Sequence, residues 1–199
     1  MPRAGLNREV VTFAALGLVD EAGVNGLADL SLSALAASVG VAVPSLYKHV
    51  DSLADLRRCV AVASMRELTA RLSAAAEAHE GSDALRAMAA GIREYAHEKP
   101  GRYLALQHAA DLADPADAEL AGVSAELLVV LAAVLHAFEL PVEREIDGIR
   151  MLRSAIHGFI MLELTGGFGL PDDLDRSFEV LVDTVVAGVE RLAAPPPGE

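Results

Sequence analysis

An all-α chain is predicted by three observations. Two short amphipathic segments within Ser31 to Val50 are hinged at Gly40; no Gly or Pro interrupts the chain from Leu53 to His79; and two late segments, 142–164 and 172–192, carry apolar residues at helical spacing. With 53% hydrophobic residues in 199, the chain can bury a sizeable core. Its 29 acidic residues against 16 Lys and Arg leave a net charge of −13, which argues against an indiscriminate nucleic-acid coat. That surplus acid lies mostly beyond residue 60, since Arg3, Arg8, Lys48, Arg57 and Arg58 nearly balance the six acids before it.

The elements follow in order. Met1 to Asn7 is a short arm in which Arg3 is a candidate phosphate contact. Arg8 to Ala22 is a helix with Val11, Ala14, Ala15, Leu18 and Val19 inward, and Gly23 to Leu30 reads as a connecting loop. Ser31 caps a helix whose apolar face is Leu32, Leu35, Ala36 and Val39. Gly40, free to adopt a left-handed conformation, ends it and lets Val41 turn inward. Pro44 fits the first turn of the next helix, with Leu46 and Val50 inward. Val43, Ser45, Lys48 and His49 then face outward, and Tyr47 sits at the edge with its ring half in the core. Ser52 to Asp55 reads as a capping box for a long helix reaching about His79.

Gly81-Ser82-Asp83 starts a helix with Leu85, Met88, Ala89, Ile92 and Tyr95 inward, and Lys99-Pro100 breaks it. Another helix begins at Pro100, and Asp111 to Asp117 is an acidic loop. Leu120 to Phe138 is a helix apolar on most sides; Val142 to Leu164 carries two apolar stripes; Asp172 to Leu192 carries one; and Pro195-Pro196-Pro197 ends the fold. The excess apolar surface of the last two helices points to a self-complementary homodimer interface, with Ile149, Leu152, Ile156, Phe159, Phe178, Leu181, Val182, Val185 and Val189 as its candidates. A wholly internal core is the alternative.

The longest uninterrupted apolar run, Leu127 to Leu135, is far shorter than the roughly 18 residues of a membrane span, and Asn7, Arg8 and Glu9 break any leader-like core. A cytoplasmic protein without membrane contact is expected. Cys59 is expected to be a structural thiol, and no metal or cofactor is expected. None of the spacings that mark zinc hydrolases, serine hydrolases or phosphate-binding loops occurs, so an enzyme is not expected.

The stretch Val39-Gly40-Val41-Ala42, Leu46-Tyr47-Lys48-His49-Val50 and Leu53-Ala54-Asp55-Leu56 resembles the DNA-binding end of the TetR (tetracycline-repressor-like) family of transcriptional regulators. Ala42 stands where the family often has a capping serine, and Leu53 where a lysine contacting the DNA backbone is common. Arg8 to Gly23 is similar to that family's first helix, and Tyr95 to Tyr103 to a junction beside its ligand cavity. Ile156-His157-Gly158-Phe159 resembles the C-terminal domain of a subfamily named for a Trp-His-Gly motif, with Ile156 in place of the Trp.

The resemblance implies about nine helices in two domains. Residues 1–51 would form a three-helix helix-turn-helix DNA-binding domain, and 52–199 a helical ligand-binding and dimerisation domain. It implies a homodimer that represses at a pseudo-palindromic double-stranded operator and is released by a small-molecule effector. DNA contacts would come from Ser31, Ala42, Val43, Pro44, Ser45, Tyr47, Lys48 and His49. Candidates for lining the effector pocket are Met88, Tyr95, Tyr103, His108, Phe138, Met151 and His157. A helical adaptor that dimerises without touching DNA is the competing reading, favoured by the acidic balance and by Ala42 and Leu53.

Overall fold

The computed structural model describes residues 5–193; Arg3 and the Pro195-Pro196-Pro197 tail lie outside the described residues. Ten α-helices and two short 3-10 turns are present among them. The helices are α1 (Arg8–Glu21), α2 (Gly26–Asp29), α3 (Leu32–Val39), α4 (Val43–Leu46), α5 (Leu53–Ala78), α6 (Gly81–Glu98), α7 (Pro100–Ala105), α8 (Ala118–His136), α9 (Val142–Leu164) and α10 (Leu174–Ala193). The helix beyond the expected nine is α2. Together with a 3-10 turn at Gly23–Asn25, it occupies what was expected to be a loop.

Two compact units emerge. The first runs to Glu67 and takes in Glu98–Ala125, and the second comprises Leu68–His97 and the chain from Glu126 onward. A division after residue 51 is therefore not the packing boundary, because α7 packs with the N-terminal helices.

In the first unit, Asn7 caps α1 by accepting a 2.8 Å hydrogen bond from the Val10 amide, and Val11, Ala15, Leu16 and Val19 are buried. The unit closes around them with Leu30, Leu35, Ala36, Leu46, Val50, Leu56 and Val60, all nearly inaccessible to solvent. Arg102 on α7 ties the pieces together, bonding Asp20 of α1 at 2.7 Å and Glu67 of α5 at 2.8 Å, while Lys99 also pairs with Glu67. Burial alone would raise the Glu67 pKa, but those two cations outweigh it and hold the carboxylate charged. The expected acidic loop instead turns inward at its end: Asp117 is buried, accepts from the Asp111 amide at 2.8 Å and lies 3.6 Å from Arg58. Cys59 is buried, and burial pushes its thiol pKa up, as befits a structural residue.

In the second unit, the inward faces are Leu85, Met88 and Tyr95 of α6, Val134 and Leu135 of α8, Ile149, Leu152, Ile156 and Ile160 of α9, and Phe178, Val182, Val185, Val186 and Val189 of α10. Within Pro115–His136 an 18-residue window has a mean hydropathy of 2.0, long and apolar enough by length and composition to cross a membrane, a test that the core helix of a soluble protein also passes. The sequence expectation missed this because it required an unbroken run, and Glu126 breaks it.

Candidate nucleic-acid interface and apolar cavity

The turn between α3 and α4 forms as its residues dictate. Gly40 adopts φ 70° and ψ 36°, a left-handed conformation that disfavours a side chain, and the Gly40 and Val41 amides return to the Ala37 and Ala36 carbonyls at 3.3 and 3.0 Å. Ser31 caps α3 through its hydroxyl, which accepts from the Ala34 amide at 3.2 Å, so its oxygen is engaged in holding the helix. Ala42 begins α4 without a side-chain cap. Leu46 and Val50 are buried beneath; Ala42, Pro44, Tyr47 and Lys48 are exposed; Val43, Ser45 and His49 are half-buried. Tyr47 is 53% exposed, so more of its ring reaches solvent than an edge position implied.

Behind this exposed strip lies an ion pair that sequence reading did not assign. Arg8 of α1 grips Asp55 of α5 with two hydrogen bonds, at 2.7 and 2.8 Å, and its Nη1 also donates to the His49 carbonyl at 3.0 Å. Asp55 accepts from the Asp51 amide, and the Asp55 amide donates to the Ser52 hydroxyl, both at 3.0 Å. The expected capping box is present with one change: its reciprocal bond goes to Asp51 rather than to Ser52. Arg8 holds the Asp55 carboxyl below the ordinary carboxylate range, and its own pKa rises in return.

The second unit has a small, partly open apolar cavity of about 10 Å³, room for about one water, lined by Leu85, Met88, Leu131, Val134, Leu135, Ile149 and Leu152. Gly148 keeps α9 close to this wall, since a Cβ there would meet Leu140 at 3.1 Å and Leu135 at 3.3 Å. Of the candidate effector contacts, only Met88 lines the cavity. Tyr95 is wholly buried beneath the Arg71 guanidinium, 5.5 Å from its ring centre, and Phe138, Met151 and His157 are half-buried elsewhere in the unit. Burial, reinforced by Arg153, lowers the His157 pKa. Tyr103 is buried in the first unit, and His108 there is exposed in the chain after α7. Among the described residues, no group of three or more His, Cys, Asp or Glu side chains could hold a metal ion.

The interface candidates need correction. Ile149, Leu152, Ile156, Phe178, Val182, Val185 and Val189 are buried within the chain's own core, and Phe159 and Leu181 are half-buried. Ile149 and Leu152 belong to the cavity wall. Exposed on these helices are, instead, residues such as Val142, Ile146, Ser154, Gly158 and Leu162 on α9, and Val180, Thr184 and Ala187 on α10. A helical stripe shows which residues seek cover, but not whether the cover comes from the same chain.

A helix-turn-helix in an all-α chain that also carries a second helical unit is the arrangement of the helix-turn-helix class of transcriptional regulators. A family model described as the tetracyclin repressor-like C-terminal domain matches residues 85–185, a span that includes the cavity wall and Ile156-His157-Gly158. The uncharacterized HTH-type transcriptional regulator Rv0681 of Mycobacterium tuberculosis is 35% identical over 190 residues, covering 94% of this chain and 84% of its own. YobS of Bacillus subtilis, also named as an uncharacterized HTH-type regulator, is 29% identical over 189 residues, covering 94% of this chain and 95% of its own. The fold is also that of a TetR variant from Acinetobacter baumannii solved in complex with minocycline, with a TM-score of 0.69 at 19% identity over 96% of this chain and 99% of that one. The chain belongs to the TetR family of transcriptional regulators.

Proposed function

We propose that this regulator is a cytoplasmic repressor that binds a pseudo-palindromic DNA operator as a homodimer and is released from it by a small, uncharged, apolar effector. The observation that carries the reading is the outward strip of α4 and its following turn, where Lys48 and Tyr47 stand exposed above the buried Leu46 and Val50. Val43, Ser45 and Lys48 would meet base edges in the major groove, while Tyr47 and His49 would meet phosphates. Base contacts specify and phosphate contacts position. The aliphatic and thioether lining of the small cavity, which would have to widen to admit an effector, favours a neutral one, since an ion there would lose its hydration without a partner. Bound effector would favour a conformation with lower operator affinity, in proportion to its preference for that state.

Lys48→Ala is expected to weaken binding to a specific duplex by about 1–3 kcal/mol and to relax base preference, whereas Tyr47→Phe weakens all duplexes alike. Titrations of both variants against matched and scrambled duplexes check this, and unchanged affinity in both contradicts it. The dimer would form through the exposed faces of α9 and α10. Ala187→Glu should therefore sediment as a single chain where the wild type sediments at twice the chain mass. A dimer that survives the glutamate would place the interface elsewhere.

A further inference from the structure

We propose that Arg8 and Asp55 are positioning residues for DNA reading: a clasp that fixes the Tyr47-Lys48-His49 turn from behind without touching DNA. The proposal rests on the DNA-reading function above. Helix α4 has only four residues, too few to hold its own geometry, and the turn that follows carries the exposed Tyr47 and Lys48. The His49 and Val50 amides both donate to the Leu46 carbonyl, at 2.8 and 3.0 Å, which leaves the His49 carbonyl at the end of the turn in need of a donor. Arg8 supplies it at 3.0 Å, placing a cation where the last carbonyls of a helix favour one.

The guanidinium is itself held in register by the two-point grip of Asp55, whose side chain is 8% exposed. Asp55 in turn fastens the Asp51 amide just beyond the reading turn. One planar group thus joins α1, the end of the recognition segment and the start of α5. Arg8 is still about half exposed, so a direct phosphate contact is the rival role, and the two roles differ in sign at Asp55. Neutralising Asp55 would free a phosphate-binding arginine and remove a negative charge, keeping or raising affinity. It would loosen a clasp and lower affinity.

A duplex enriched by the wild-type protein from a random pool serves as the probe. Arg8→Ala and Asp55→Asn are each expected to weaken its binding roughly tenfold, the size of one lost charge-assisted hydrogen bond. The salt dependence of Arg8→Ala should match that of the wild type, and the loss caused by Lys48→Ala should shrink in the Arg8→Ala background, because Arg8 acts through Lys48. Asp55→Asn keeps an acceptor for the Asp51 amide, so it tests the clasp even where Arg8→Ala folds poorly. Unchanged or tighter binding by Asp55→Asn, or a salt slope lowered by about one in Arg8→Ala, would make Arg8 a phosphate contact and overturn the proposal. Additive losses for Arg8 and Lys48 would overturn it as well.

Amide exchange separates the clasp from the function on which it rests. The His49 and Val50 amides should exchange roughly tenfold faster in Arg8→Ala, with the α1 amides unchanged. Faster exchange with no duplex enriched by the wild type would refute DNA reading and, with it, the positioning role. Unchanged exchange would refute the clasp whatever the DNA does.

Discussion

Gly101→Ala is expected to destabilise the protein by about 3 kcal/mol, the upper part of the range for forcing an extra methyl into a packed contact. The first residues of α7 run against α1, and a Cβ on Gly101 would lie 2.6 Å from the Gly23 carbonyl oxygen, 2.7 Å from Val19 Cγ1 and 2.8 Å from the Val19 carbonyl oxygen. Two of those three atoms are backbone and cannot swing aside. Gly26 crowds the same peptide from α2, where an added Cβ would meet the Val19 carbonyl carbon and Cα at 2.8 Å, so relief in that direction is blocked. A thermal scan should show a midpoint lowered by about 6–12 °C. Gly17→Ala is the internal control: it lies in the middle of α1, with nothing within 4 Å of an added Cβ, and should stabilise by roughly 0.5–1 kcal/mol through helix propensity alone. Equal effects at the two glycines would contradict the packing of α7 on α1.

Arg93→Ala is the second large loss, at about 3 kcal/mol. Arg93 on α6 holds Glu163 at the end of α9 through two hydrogen bonds of 2.6 and 2.9 Å, and Asp175 of α10 at 2.8 Å. Its guanidinium also lies 4.9 Å from the centre of the Phe178 ring, while Phe159 packs between Phe168 and Phe178 at 4.8 and 5.2 Å. Removing the arginine leaves Glu163, whose side chain is 9% exposed, with His97 at 2.9 Å as its remaining partner among these ionic contacts. In the wild type, the bond from Arg93 holds the Glu163 pKa below the ordinary carboxylate range. Its contribution is therefore present above that range and is lost as pH falls through the folded value. The variant's carboxylate protonates more readily, so its deficit relative to the wild type should be largest near neutrality and narrow in acid. Chemical denaturation at neutral and acid pH checks the sign; a deficit that widens in acid would rule out Glu163 as the group left stranded.

These two sites mark how far the sequence could be read. Helix α9 begins and ends where its periodicity and the flanking Pro141 and Gly166 place it, and Gly40 takes the left-handed turn that its position demands. Such features are local, set by spacing and by backbone freedom within a few residues. Arg93 and Glu163 are 70 positions apart, and Arg8 and Asp55 are 47 apart. No local pattern distinguishes those arginines from the solvated ones on the same helices. The same limit applies to the apolar stripes of α9 and α10. The spacing of Ile149, Leu152 and Val182 marks apolar faces, but whether α6 and α8 or a second chain covers them depends on long-range packing. Spacing does not mark Leu85, Leu131, Val134 and Leu135 as cavity lining, because aliphatic residues at helical spacing look alike whether they line a cavity or fill a core.

The central claim is that the strip from Val43 to His49 reads DNA, and binding of the wild-type protein to the DNA upstream of its own gene, across a salt series and beside Lys48→Ala, tests it most directly. The account predicts binding to a discrete site that weakens steeply with salt, with the preference for that site lost in Lys48→Ala and a shallower salt dependence remaining. Binding that is absent at low salt, or equally strong for the wild type and Lys48→Ala on every duplex, would contradict it and favour a helical dimer whose helix-turn-helix is purely structural.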